Sequence, residues 1–258
     1  LLARHIRPGE SLLAGGGTFS PGRQVANQAC AAALAGARTL LVGAIGDDAS
    51  GSVATGRLAE AGVDLSGVQR LDGPTGLAVV SVDSDGENTV VVVPGANGRV
   101  TPELVDGAAE AIAGATVVVL QGEISAAGNL AAANLVRGRL VVNLAPVIEV
   151  DRSILLAANP LVVNEHEGAA ALSQLGGPTL VDPEEIVRGL RAAGVATVVM
   201  TVGSAGSLVA EGDAVTPVAS PKVKAVDTVG AGDAFCGALA ARLAAGESLL
   251  DAAAYASR

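Results

Sequence analysis

The chain has 258 residues, 50% of them hydrophobic and only 16% charged, with 34 glycines and three aromatics, Phe19, Phe235 and Tyr255. That balance excludes extended disorder and suits one domain with a sizeable aliphatic core. Sixteen Lys and Arg against 26 Asp and Glu leave a net charge of -10, the wrong sign for gripping a phosphodiester backbone, and three aromatics build no base-stacking platform, so no nucleic-acid partner is expected.

Taken in chain order, short β-branched runs alternate with Ala-rich stretches of helical length. Strands are predicted at 39–42, 116–120, 140–143, 160–163 and 197–202, and helices at 24–34, 102–112, 126–136 and 183–193. The alternation predicts an α/β fold: an open, mostly parallel sheet with helices on both faces, since the strand runs are nearly all apolar. One stretch departs from this rule. Residues 77–82 and 88–93 predict two strands joined through Asp85-Gly86, a pair suited to a tight hairpin turn. Within an α/β chain, such an excursion reads as a small β flap over a site.

No apolar run reaches about 18 residues, so no membrane span is expected, and the opening lacks the apolar segment of a signal peptide. Cys30 and Cys236 stand far apart with no second pair or His cluster. Neither a disulfide framework nor a zinc site is indicated, and a reducing cytoplasm fits. The sequence begins at Leu1 rather than at methionine, which raises the expectation of a trimmed or partly recorded longer chain.

The strongest local signal is Val226-Asp227-Thr228-Val229-Gly230-Ala231-Gly232-Asp233-Ala234-Phe235. The Ala- and Leu-rich stretch after it predicts a helix ending at Gly246, which puts Gly230, Ala231 and Gly232 at a helix N-terminus. Free N–H groups and the positive dipole end there attract anions, and small residues let a phosphate approach the backbone. Asp233, at the start of that helix, is placed to take a proton from a hydroxyl while the amides hold a transferring phosphoryl group. The plainer reading is an Asp favoured by the helix dipole beside a glycine turn.

Other candidates also have two readings. Asn164-Glu165-His166-Glu167 follows a strand, where an amide and a carboxylate can organise hydrated Mg²⁺, or where Asn164 and Glu167 simply form a capping box. Thr201-Val202-Gly203-Ser204-Ala205-Gly206 can receive nucleotide phosphates or be a loop. Gly22-Arg23-Gln24-Val25-Ala26-Asn27-Gln28 leads into the first predicted helix, and its amides suit a polyol or merely an exposed first turn. Glu123 can accept a sugar hydroxyl or be a surface carboxylate. His5 and His166 are too scattered for a metal site, and both cysteines read as small core residues.

With these residues in view, the chain resembles the ribokinase-like (PfkB) carbohydrate kinases, and within that family its ribokinase branch. The resemblance rests on VDTVGAGDAF (226–235) and ANQA (26–29), supported by VGAIGDD (42–48), GEN (86–88), PGAN (94–97), NEHE (164–167) and the 201–206 loop. It implies ATP-dependent phosphorylation of a sugar, most simply D-ribose at O5. Asp233 would then be the base, and the amides of Gly230, Ala231 and Gly232 the anion hole. Gly22, Arg23, Gln24, Val25, Ala26, Asn27 and Glu123 would surround the sugar. Asn164, Thr201, Val202, Gly203, Ser204, Ala205, Gly206 and Gly232 would serve the nucleotide. Glu167 would hold Mg²⁺ through water, and Asp227 with Val229 would form part of a K⁺ site. The resemblance also implies a single domain over 1–258 with lid strands at 8–20 and 74–95, through which two subunits pair.

Three departures from the family pattern accompany the match. Arg23, Gln24 and Val25 stand where the ribokinase branch has Gly-Lys-Gly, which predicts a more crowded sugar pocket. The family's opening strand with its Asn-x-Asp pair would precede Leu1, and the segment closing its adenine site would follow Arg258. These keep open a kinase for another furanose or a nucleoside, or a sugar- or nucleotide-binding relative without catalysis. A nucleotide-dependent dehydrogenase fits less well, because its glycine turn belongs after the first strand.

Overall fold

The computed structural model describes residues 24–82, 88–223 and 228–258; the expected lid strand at 8–20, Gly22, Arg23, the Asp85-Gly86 turn and Asp227 lie outside the described residues. The Ala-rich run after Gly22 coils into α1 (Gln24–Leu34), the span its sequence predicts. Next come β1 (Leu40–Gly46), α2 (Ala49–Glu60) and β2 (Asp64–Leu71), with β1 and β2 paired in parallel. The sequence reading contains no β2, because its apolar and polar residues do not alternate cleanly. Its register shifts opposite Gly67, where a Cβ would lie 2.7 Å from the Leu41 carbonyl oxygen.

Strands β3 (Leu77–Val82) and β4 (Asn88–Val93) form the expected antiparallel hairpin, with Leu77 opposite Val93 and Val79 opposite Val91. Its root is tied to the end of β1. Thr75 Oγ1 accepts the Gly46 N–H at 2.9 Å and donates to Asp48 Oδ1 at 2.6 Å, and Asp48 also caps α2 through the Gly51 N–H.

The helix predicted at 102–112 is two helices, α3 (Pro102–Asp106) and α4 (Ala109–Gly114), separated at Gly107, which caps the end of α3. Glycine is a poor interior helix residue, and the helix stops at it. Then β5 (Val117–Gln121), α5 (Ala126–Leu135), β6 (Arg139–Asn143), α6 (Arg152–Ala157), β7 (Leu161–Asn164) and α7 (Glu165–Gln174) follow. Helix α8 (Pro183–Ala192) starts with Asp182 as its cap and Pro183 in its first turn, and leads to β8 (Thr197–Thr201). The chain continues through β9 (Ser207–Glu211), β10 (Ala214–Val218), α9 (Ala231–Ala244) and α10 (Leu249–Ala256).

The main sheet has the order β10-β9-β8-β7-β6-β5. Strands β5 to β8 run parallel, whereas β9 is antiparallel to β8 and β10 antiparallel to β9. Period-two alternation sends neighbouring strand residues to opposite faces, and both faces are buried. Leu140, Val142, Leu161, Val163, Val198 and Met200 pack with Leu155 of α6, Leu172 of α7 and Leu190 of α8. Val141, Val162 and Val199 pack on the other face with Phe235 and Leu239 of α9 and Leu249 of α10. Each such side chain contributes about 1.5–3 kcal/mol by leaving water, so this layered core anchors the start of α9 over the sheet. Among the described residues no helix is long and apolar enough to cross a membrane.

Candidate active site

Each of the four parallel strands of the main sheet ends in a polar residue: Gln121 on β5, Asn143 on β6, Asn164 on β7 and Thr201 on β8. Gln121 pairs with Asn143 and Asn164 with Thr201 across the ladder, so the four sit along one edge of the sheet. This carboxyl edge is where open α/β sheets receive ligands.

Helix α1 approaches that edge. Its positions i, i+3 and i+4 share one face, and these are Gln24, Asn27 and Gln28. Ala26 and Cys30 turn the other way and pack with Ala29, Leu58 and Val63. Gln24 Nε2 donates to Asn143 Oδ1 at 2.7 Å, and Gln28 Nε2 donates to the same oxygen at 2.8 Å.

Helix α9 completes the arrangement. Gly230 caps it in the left-handed region, with φ 78°, which a residue with a Cβ adopts only with strain. The Ala231 N–H donates to Thr228 O at 3.2 Å, so one of the three amides expected to face an anion is engaged in the turn itself. Gly232 and Asp233 occupy the next two positions of the first turn, where N–H groups have no acceptor within the helix. A Cβ on Gly232 would meet nothing within 4 Å, so the approach to those amides is open. Asp233 is half-buried. Asn27 Nδ2 donates to its Oδ2 at 2.8 Å and Gln28 Nε2 to its Oδ1 at 3.2 Å.

A cleft of about 250 Å³ lies between these elements, walled by Gln24, Asn143, Asn164, Glu167, Thr201 and Asp233, with Gly230 and Gly232 at its rim. Burial pushes the Asp233 carboxyl above its ordinary range, against the opposing pull of the Asn27 and Gln28 amides. Burial likewise raises Glu167; the Asn164 N–H opposes this, and the Asp233 charge adds to it. Both acids therefore face one cleft with a reduced tendency to ionise. Cys236, one turn into α9, is fully buried, and burial pushes its thiol far above the usual cysteine value.

The capping-box reading of Asn164 and Glu167 is realised: Asn164 Oδ1 accepts the Glu167 N–H, while Glu167 accepts the Asn164 N–H, each at 2.9 Å. Asn164 Nδ2 adds a third contact, to Glu167 Oε1 at 2.9 Å. The box does not remove Glu167 from the cleft; it fixes the carboxylate at the cleft wall.

Among the other sequence-predicted positions, Val25 is half-buried on α1, and Glu123 is half-buried in the turn after β5, away from the cleft lining. Val202 to Gly206 form a loop with a short 3-10 turn at Gly203–Ala205, of which only the preceding Thr201 lines the cleft. Val229 lies on the exposed turn before α9. Sequence reasoning did not single out Gln121, Asn143 or Ala145 as site residues. The signal for two of them was present, since an apolar strand run ending in one polar amide recurs in LVVN and VVVLQ.

The fold and cleft together set a helix N-terminus and a half-buried acid at the carboxyl edge of an α/β sheet, the edge where such folds receive ligands. The model of the pfkB family carbohydrate kinases matches residues 2–258, and the chain belongs to that family. It is 32% identical over 248 residues to the ribokinase of Schizosaccharomyces pombe, covering 92% of this chain and 78% of that one. Its fold superposes on the ribokinase of Thermotoga maritima with a TM-score of 0.87 at 29% identity, over 99% of this chain and 85% of that one. The Arabidopsis thaliana ribokinase complexed with ribose and ATP gives a TM-score of 0.85 at 31% identity, over 98% and 84% of the two chains.

Proposed function

We propose that the chain transfers the γ-phosphoryl group of ATP to the 5-hydroxyl of D-ribose, with Asp233 as the base. The observation that carries this reading is the position of Asp233: half-buried in the cleft, held by two amides, and beside the open amides at the start of α9. The family membership and the ribokinase bound to ribose and ATP among its structural relatives support the substrates.

In this mechanism the sugar hydroxyl gives its proton to an Asp233 carboxylate oxygen as its own oxygen forms a bond to the γ-phosphorus. The bond from that phosphorus to the bridging oxygen breaks, and ADP leaves. Positioning and charge stabilisation, rather than covalent help, lower such barriers. The N–H groups of Gly232 and Asp233 receive charge from the transferring group, with Gly230 and Ala231 shaping the turn. Gln24 and Asn27 face the sugar side, and Gly22, Arg23 and Val25 join that side by resemblance, whereas Ala26 packs away from it against Leu58 and Val63 and Glu123 stands outside the cleft lining. Asn164, Thr201 and the Val202, Gly203, Ser204, Ala205, Gly206 loop lie toward the nucleotide.

Two carboxylates and an amide around one cleft are hard oxygen donors that suit hydrated Mg²⁺, and Glu167 would hold it through water. Bound there, Mg²⁺ would neutralise phosphate charge. K⁺ as an activator, near Asp227 and the Val229 carbonyl, belongs to the same reading, and so does a cytoplasmic setting, which suits two free thiols. Leu77, Val79, Val91 and Val93 expose 43, 49, 58 and 49% of their surface on one face of the β3–β4 hairpin, which favours this hairpin as a lid that pairs two copies of the chain.

A second reading, a kinase for another furanose or a nucleoside, is favoured by Gln24, a cleft-lining side chain where the ribokinase branch carries lysine. The test is Asp233→Asn together with a substrate panel read by ADP release. The expected result is ribose-dependent ADP release that falls by roughly a hundredfold or more in kcat while ATP binding persists. Near-normal turnover in the variant would remove Asp233 from the base role, and preference for another sugar would select the second reading.

A further inference from the structure

Gln28 is 3% exposed and does not line the cleft, so it is out of reach of a bound substrate. Every polar atom of its side chain is nonetheless engaged. Its Nε2 donates to Asn143 Oδ1 at 2.8 Å and to Asp233 Oδ1 at 3.2 Å, while its Oε1 accepts from Gln121 Nε2 at 2.9 Å. Asn143 in turn donates from Nδ2 to the main-chain oxygen of Val162 at 3.0 Å.

These contacts allow one orientation only. If the Gln28 amide were reversed, its oxygen would face the Asn143 and Asp233 oxygens, and its nitrogen would face the Gln121 nitrogen. The Asn143 amide is likewise fixed, because its donor is committed to a main-chain carbonyl. A relay therefore runs from the backbone of β7 through Asn143 of β6 to Gln28 of α1, and ends on Asp233 of α9.

A carboxylate has a broad, roughly two-fold terminal torsion, so one donor leaves its plane free to turn. Asp233 has two, Asn27 on Oδ2 and Gln28 on Oδ1. We propose that Gln28 is a positioning residue: the buried Asn143–Gln28 relay sets the plane of the Asp233 carboxylate so that an oxygen lone pair points at the hydroxyl to be deprotonated. The proposal rests on the reading of Asp233 as the base. It also explains why α1 carries neutral amides toward Asp233 rather than a cation. A charged partner would pair with the acid outright, whereas amides orient it and leave its remaining lone pairs available. The other ionisable groups coupled to Asp233 are Glu167, from α7, and Cys236, from its own helix; β5 and β6 present only the amides of Gln121 and Asn143.

The test compares Gln28→Met, Gln121→Met and the double variant in full-length protein, measuring kcat, the KM of ribose and of ATP, and thermal unfolding. Methionine keeps the length of glutamine and removes its donors. Gln28→Met is expected to lower kcat by about tenfold or more with both KM values within about twofold of the parent, because a group acting only through the base changes the chemical step. Gln121→Met is expected to lower kcat by a smaller factor, and the double variant to match Gln28→Met alone, as residues of one relay are not additive. If Gln28→Met does not fold, Gln121→Met carries the same comparison, since its loss leaves Gln28 Oε1 without its donor and holds the amide from one end only. A folded Gln28→Met with parental kcat, a loss confined to KM, or factors that multiply in the double variant would each overturn the proposal. Near-normal turnover in Asp233→Asn would instead overturn the base assignment on which it rests, so the two failures are distinguishable.

Discussion

Gly237 on α9 meets the main-chain oxygen of Gln28 on α1 so closely that a Cβ there would stand 2.3 Å from that oxygen and 2.7 Å from the Ala31 Cβ. The two helices that carry Asp233 and its amide partners thus touch backbone to backbone. A Gly237→Ala change forces α1 away from α9. The expected cost is about 1–3 kcal/mol of stability, as for other overpacked interiors, together with a loss of kcat, because Asn27 and Gln28 ride on the displaced helix. Urea unfolding and steady-state kinetics on the same preparation check both. Destabilisation with unchanged kcat would show that Asp233 does not depend on this contact.

The pH dependence follows from the burial of Asp233. Its carboxyl is held above the ordinary Asp range, and in the proposed role of base it would have to be ionised to accept a proton. Activity is therefore complete above the raised pKa and is lost as pH falls through it. The acid limb of kcat/KM is expected above the unperturbed Asp value of about 3.9. A limb at or below that value would mean that the Asn27 and Gln28 amides outweigh burial.

At the root of the hairpin, Thr75 joins the end of β1 to the cap of α2. Thr75→Val keeps the shape but leaves the Gly46 N–H without its acceptor, at an expected cost of about 1–3 kcal/mol. If the hairpin acts as a lid, the KM of the sugar rises while that of ATP stays near its parental value. A stability loss with both KM values unchanged would separate the latch from the lid.

The exposed hairpin face gives a test of assembly. Val79 and Val91 lie directly opposite each other and are exposed. Changing both to Glu sets like charges side by side on that face, which a paired sheet tolerates poorly. Sedimentation velocity is expected to show the parent as a dimer and the double variant as a monomer. A parent that sediments as a monomer, or a variant that remains dimeric, would place any pairing elsewhere.

The sequence revealed more of the fold than of the cleft. Helices α1, α5 and α8 and both hairpin strands stand where periodicity and turn chemistry put them, because each carries an unbroken pattern with a clear stop. Helices α3 and α4 were merged because Ala-rich residues on either side of Gly107 share one period. The β9–β10 pair is less legible although Gly212, at φ 58°, marks its turn, since Ser207, Glu211, Thr216 and Pro217 interrupt its apolar runs. In the cleft, Asp233, Asn164 and Glu167 were legible from motif spacing. The roles of Gln121 and Asn143 were not, because what matters is which strand ends lie side by side, and that depends on strand order rather than on local sequence.

Among the described residues β10 is the outermost strand on its side of the main sheet, and it carries Pro217 opposite Leu208 of β9. Proline has no N–H and within sheets is confined to edge positions, so β10 offers a further strand an incomplete set of donors. For a chain this rich in valine and leucine, an uninterrupted border would invite strangers to add strand upon strand, the route by which concentrated protein turns to fibres. Pro217 therefore has a bearing on whether the protein stays in solution that is independent of its chemistry.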